Sequence, residues 1–190
     1  MISQQINAKG ISEILKTEDR IAVLRYASVN TSFTATDVVA STRKTKGFVS
    51  RYLNLLLKAG YITSQGRNYF WVDNAETQSL KRYLNIQLLM SVLKLPEWAK
   101  GIGCYGSFVK GTNNTDSDLD LFVFVEKYSY ELEIKAAKIE RNTEKVIGSE
   151  TNILILTEDK LMEMQENDQP FYNSLIRTAV TLRGVHIEEY

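Results

Sequence analysis

The chain has 190 residues, 23 Lys/Arg against 23 Asp/Glu, and no formal net charge. With 44% hydrophobic residues it has ample material for a core, and its length suits one large domain or two small ones. A single cysteine, Cys104, excludes an internal disulfide and a cysteine-built metal cluster, and no apolar run approaches the roughly 20 residues that span a bilayer.

The absence of net charge hides a split. Residues 1–95 hold 13 Lys/Arg and 6 Asp/Glu, a surplus of seven positive charges. Residues 96–190 hold 10 Lys/Arg and 17 Asp/Glu, a surplus of seven negative charges. Such asymmetry predicts two domains with different partners. The expected division is 1–75, a linker helix over 76–95, and 96–190. Residues 1–10 carry no apolar signal core. The expectation is a cytoplasmic protein with no membrane partner.

In chain order, apolar Ile21, Leu24 and Ala27 at helical spacing predict a helix over Asp19 to Ser28. Thr34-Ala35-Thr36-Asp37 fits a variant capping box, with Thr34 as the cap. That helix is expected to end near Ser41. A third helix is expected from about Thr45 to Ala59, with Val49, Tyr52, Leu53 and Leu56 on one face. Gly60 stands where a C-terminal cap takes a left-handed residue. Tyr61–Thr63 and Tyr69–Val72 read as two strands with a turn over 64–68.

Residues 76–95 read as a helix with an apolar stripe of Leu80, Tyr83, Leu84, Leu88, Val92 and Leu95. Such a helix suits packing between domains or a homodimer contact. The remainder alternates strands (101–105, 118–126, 151–157) with helices (130–145, 158–166, 170–178). This predicts a mixed sheet with flanking helices. The fold class is therefore a two-domain α+β or α/β protein.

The basic unit resembles a winged helix-turn-helix, on the stretch Thr45-Lys46-Gly47-Phe48-Val49-Ser50-Arg51-Tyr52-Leu53-Asn54 through Ile62. Between Thr34 and Arg67 there are six basic residues and one acid, Asp37. The resemblance implies double-stranded DNA as a partner, with the third helix in the major groove. Ser50, Arg51 and Asn54 are then expected at base edges; Arg43, Lys44, Lys46 and Arg67 are expected at phosphates.

The most specific signal lies in the acidic half. Gly106-Ser107 follows an apolar strand, and ten residues later Asp118-Leu119-Asp120 opens another. Alternate strand residues share a face, so the two carboxylates project together, roughly 7 Å apart along the backbone. Paired carboxylates suit hard divalent cations. Gly106 lets a backbone approach phosphate, Ser107 offers a hydroxyl and an amide, and Lys110 offers charge. The run Tyr105-Gly106-Ser107 through Asp118-Leu119-Asp120-Leu121 resembles the polymerase-beta-like nucleotidyltransferase superfamily, in particular its minimal group, over residues 96–184.

That resemblance implies Mg²⁺ or Mn²⁺ held by Asp118 and Asp120, a nucleoside triphosphate (NTP) near Gly106, Ser107 and Lys110, and transfer of a nucleotide to a hydroxyl. The acceptor class spans a protein such as a toxin, an RNA end or a small molecule. Active members carry a third carboxylate on a neighbouring strand. Here motif alignment puts Asn152 at that position, and Glu150, two residues earlier, faces the same way. Three readings stay open. One is an enzyme with Glu150 as third acid; another is a DNA-binding regulator whose second domain senses nucleotide or is inactive; the third makes both domains interaction modules, with the helix over 76–95 driving dimerisation. The sole histidine, His186, gives no support to a Ser-His-Asp triad.

Overall fold

The computed structural model describes residues 9–186. The chain divides into two compact units, Met1–Thr77 and Gln78–Tyr190.

In the first unit, helices α1 (Lys9–Ile14), α2 (Glu18–Val29), α3 (Ala35–Thr42) and α4 (Lys46–Ala59) accompany strands β1 (Phe33–Thr34), β2 (Ile62–Gln65) and β3 (Asn68–Trp71). The strands form an antiparallel sheet in the order β1-β3-β2. The helix starts are set locally. The Thr34 hydroxyl accepts from the Asp37 N–H, while the Asp37 carboxylate accepts from the Thr34 N–H, so two otherwise orphaned donors of α3 are satisfied. Thr45 caps α4, and Gly60 ends it at φ 79°.

Val49, Tyr52, Leu53 and Leu56 are all buried, as their spacing predicts, beside Val23, Leu24 and Val38. The Tyr52 hydroxyl donates to the carbonyl of Ile14 at 2.9 Å, so this buried phenol keeps a partner. Neither α1 nor β1 was expected from the sequence. Each is too short to display a period.

α5 (Ala75–Val92) opens in the last residues of the first unit; in the second unit it leads to β4 (Gly101–Tyr105), α6 (Ser107–Lys110), β5 (Leu119–Phe124), α7 (Tyr130–Ile147), β6 (Thr151–Leu156), α8 (Glu158–Asn167), α9 (Gln169–Thr178) and β7 (Val180–Gly184). The sheet order is β6-β5-β4-β7. β5 and β6 are parallel, and the other pairs are antiparallel. The mixed sheet with flanking helices matches the expectation, and β7 is an addition to it.

Strand alternation divides the core. Leu119, Leu121 and Val123 of β5 pack with Ile102, Cys104, Leu89, Leu93 and Leu132. Phe122 and Phe124, on the opposite face, pack with Leu161, Met164 and Leu175 of α8 and α9. The edge strand β6 does not offer a bare ladder. Glu140 and Glu144 of α7 accept the main-chain N–H groups of Ile153 and Thr151 at 2.8 and 3.2 Å.

The stripe expected on α5 holds at Leu80 and Leu84, which are buried, and is corrected at other positions. Tyr83 and Leu95 are exposed, whereas Leu89 and Leu93 enter the core. The inner face also buries Thr77, Lys81 and Asn85. A stripe built from apolar residues alone misplaces this face, because its first turns meet polar main chain rather than the sheet.

Candidate functional site

The site begins where β4 ends. Gly106 has φ 73° and ψ −146° and stands at the N-terminus of α6. A Cβ there would lie 2.4 Å from Oδ2 of Asp120. The carboxylate therefore rests against a backbone position that only glycine can occupy. Ser107 opens α6 half-buried, and Lys110 closes it exposed.

After α6 the chain turns at Gly111, φ 72°, where a Cβ would lie 2.0 Å from the carbonyl oxygen of Gln78. The next residues form a self-closed turn. Asn114 N–H donates to Ser117 Oγ at 2.9 Å, Asp116 N–H donates to Asn114 Oδ1 at 2.9 Å, and Ser117 N–H donates to the Asn114 carbonyl at 3.2 Å. Asp116 is thus exposed on a turn, and Asp118 follows at once.

Register then places three residues in one row. Tyr105 pairs with Asp120 across antiparallel β4 and β5, and Asp120 pairs with Asn152 across parallel β5 and β6. Asp120 lies on the strand face that also carries Phe122 and Phe124, beyond the cover of that cluster. It is half-buried, whereas Asp118 and Asn152 are exposed.

Burial raises the Asp120 carboxyl above the usual aspartate range, and the nearby Asp118 charge adds to this. Burial, with help from Asp120, pushes the Tyr105 phenol up to about 12. The Tyr105 ring meets Phe171 edge-on at 6.0 Å. The Cys104 thiol is raised by burial and then by Asp120, so it stays protonated and unreactive near neutral pH.

Two nearby carboxylates, the half-buried Asp120 raised in pKa and the exposed Asp118 before it, form a donor set that a hard divalent cation fits. They stand as a pair. Among the described residues, no three Asp, Glu, His or Cys side chains group in a way that could hold a metal. The Glu150 carbonyl accepts from Leu119 N–H at 2.8 Å, and its exposed side chain lines a shallow hollow of 430 Å³ with Glu144, Gly148 and Ser149.

Sequence reasoning missed three residues. Lys81 and Asn85 lie buried on α5 and bond to Asn113, which is itself buried. A lysine and an asparagine four apart in a helix read as a solvated face, so no local signal marks them.

In the first unit, Lys46, Ser50, Arg51 and Asn54 are exposed on α4. Arg43 is an exposed left-handed residue ending α3, and Arg67 lies exposed between β2 and β3. Lys44 differs: it is half-buried and ion-paired with Asp19.

A glycine-serine turn facing an acid pair on a mixed sheet with flanking helices is consistent with a nucleotidyltransferase fold. Residues 87–176 match the family model described as a nucleotidyltransferase domain. The match runs from the later turns of α5 into α9 and includes Gly106, Ser107, Asp118 and Asp120, and it supports nucleotidyl transfer as the general activity class. A search of curated proteins finds no match to the chain. Among the described residues, no helix is long and apolar enough to cross a membrane.

Proposed function

We propose that this protein is a metal-dependent nucleotidyltransferase that moves a nucleoside monophosphate from an NTP to a hydroxyl acceptor. The observation that carries the reading is Asp120 seated on Gly106, with exposed Asp118 two residues before it, just ahead of β5. The acceptor oxygen forms a bond to the α-phosphorus as the bond to pyrophosphate breaks. Pyrophosphate leaves with the electron pair, and the hydroxyl proton passes to a base. Mg²⁺ or Mn²⁺ supplies charge neutralisation to the phosphates. Asp118 and Asp120 hold it, Ser107 and Lys110 take phosphate oxygens, and Glu150 is the proton acceptor.

The first unit is read as a winged helix-turn-helix that binds double-stranded DNA. The order α2-β1-α3-α4-β2-β3 and the exposed polar face of α4 support this. Coupling of the two activities suits an antitoxin-like autoregulator in the cytoplasm, with a toxin protein as acceptor and a homodimer on DNA.

A second reading has one observation in its favour. Asn152, not an acid, pairs in register with Asp120. A regulator that senses nucleotide without turnover accounts for this. Labelled NTPs, Mg²⁺ and a host lysate separate the two. Label transfer that disappears in Asp118→Asn and Asp120→Asn is expected for the enzyme. Metal-dependent nucleotide binding with no transfer favours the sensor.

A further inference from the structure

Lys81 is only 6% exposed, and its ammonium donates to the carbonyl of Asn113 at 2.8 Å. One turn on, Asn85 donates from one amide nitrogen to the carbonyl of Phe108 at 2.9 Å and to Oδ1 of Asn113 at 2.8 Å. Asn113 is 2% exposed. Gly111 lies against the Gln78 carbonyl of the same helix. The inner face of α5 therefore grips both α6 and the turn that follows it. A buried lysine is costly unless its charge is solvated by protein dipoles, so this contact is a specific one rather than a solvated side chain that happens to lie inward.

The grip transmits to the acid pair because the intervening turn has no slack. Asn114 to Ser117 is closed by four hydrogen bonds of its own, and Asp118 comes next. From Asp118 the chain enters β5, where Asp120 meets Gly106. We infer that Lys81 and Asn85 are positioning residues for the acid pair: they fix Asn113, and so set where Asp118 stands relative to Gly106 and Ser107. This rests on the nucleotidyl-transfer reading and adds to it two residues on α5, outside the glycine-serine and acid-pair motif.

The test uses the full chain and four probes, Mg²⁺ with ATP, GTP, CTP or UTP, measured by calorimetry well below each variant's melting temperature. Asn85→Asp keeps the side-chain volume but turns the donor into an acceptor, and Lys81→Met keeps the stem without the charge. Both are expected to weaken nucleotide binding about 10- to 100-fold, the usual effect of losing a supporting contact around a metal site. Amide exchange over Asn113–Ser117 is expected to quicken in both. Gln87→Ala, on the exposed side of α5, is the control and is expected to change neither. If Asn85→Asp fails to fold, Asn85→Ala replaces it. Wild-type binding matched by the variants, or unchanged exchange over Asn113–Ser117, overturns the inference alone. A wild-type protein that binds none of the four nucleotides overturns the transfer reading and the inference with it.

Discussion

Oδ2 of Asp120 lies so close to the backbone of Gly106 that a Cβ at residue 106 would come within 2.4 Å of it. Gly106 also has φ 73° and ψ −146°, a backbone region that other residues enter at a cost of about 1–3 kcal/mol. Gly106→Ala is therefore expected to lower stability by about that amount and to abolish Mg²⁺-dependent nucleotide binding. Denaturant melts and calorimetry check this. An alanine variant that binds nucleotide like the wild type would show that the carboxylate does not need this seat.

The pairing of Asp120 with Asn152 leads to a test of the third acid. Glu150→Gln is expected to slow label transfer on the order of 10²-fold, the lower end for loss of a general base. Asn152→Asp in that background is expected to restore it, because the new carboxylate stands directly beside Asp120. Transfer unaffected by Glu150→Gln removes that residue from the reaction.

The raised Asp120 carboxyl predicts a pH dependence of known sign. Its proton is held more tightly in the folded chain than in the unfolded one. Stability of the metal-free protein is therefore expected to fall as pH rises from about 4, the ordinary aspartate value, through the raised one. Asp120→Asn should flatten that fall and raise the melting temperature at neutral pH. Mg²⁺ should stabilise the wild type and leave the variant unmoved. Thermal melts across pH, with and without Mg²⁺, read all three effects; a fall of the same steepness in Asp120→Asn rules out this carboxylate as its cause.

For DNA, exposed Arg51 and ion-paired Lys44 should differ. Arg51→Ala is expected to cost about 1–3 kcal/mol in a specific complex and to relax its base preference. Lys44→Ala is expected to cost less, because the ammonium already faces Asp19. Binding titrations at two salt concentrations compare them. Equal losses, with equal changes in salt slope, would place both at phosphates.

The sequence by itself determined what is written within a few residues. The Thr34–Asp37 capping box, the buried face Val49-Tyr52-Leu53-Leu56 and the left-handed Gly60 all follow from spacing and cap chemistry. The strand carrying Asp120 was also legible, but it begins at Leu119, so Asp118 stands just ahead of it rather than within it. Only the tertiary structure decided that Val180–Gly184 completes the sheet beside β4 and that Asp120 is half-buried; the motif resemblance already put Asn152 on the neighbouring strand, and the register gave its partner as Asp120. It also decided that α5 turns Lys81 and Asn85 inward. Register and burial are set by chain brought in from tens of residues away. Helical spacing shows which residues of α5 share a face, but not that the face meets the carbonyls of Phe108 and Asn113 at one end and a sheet at the other.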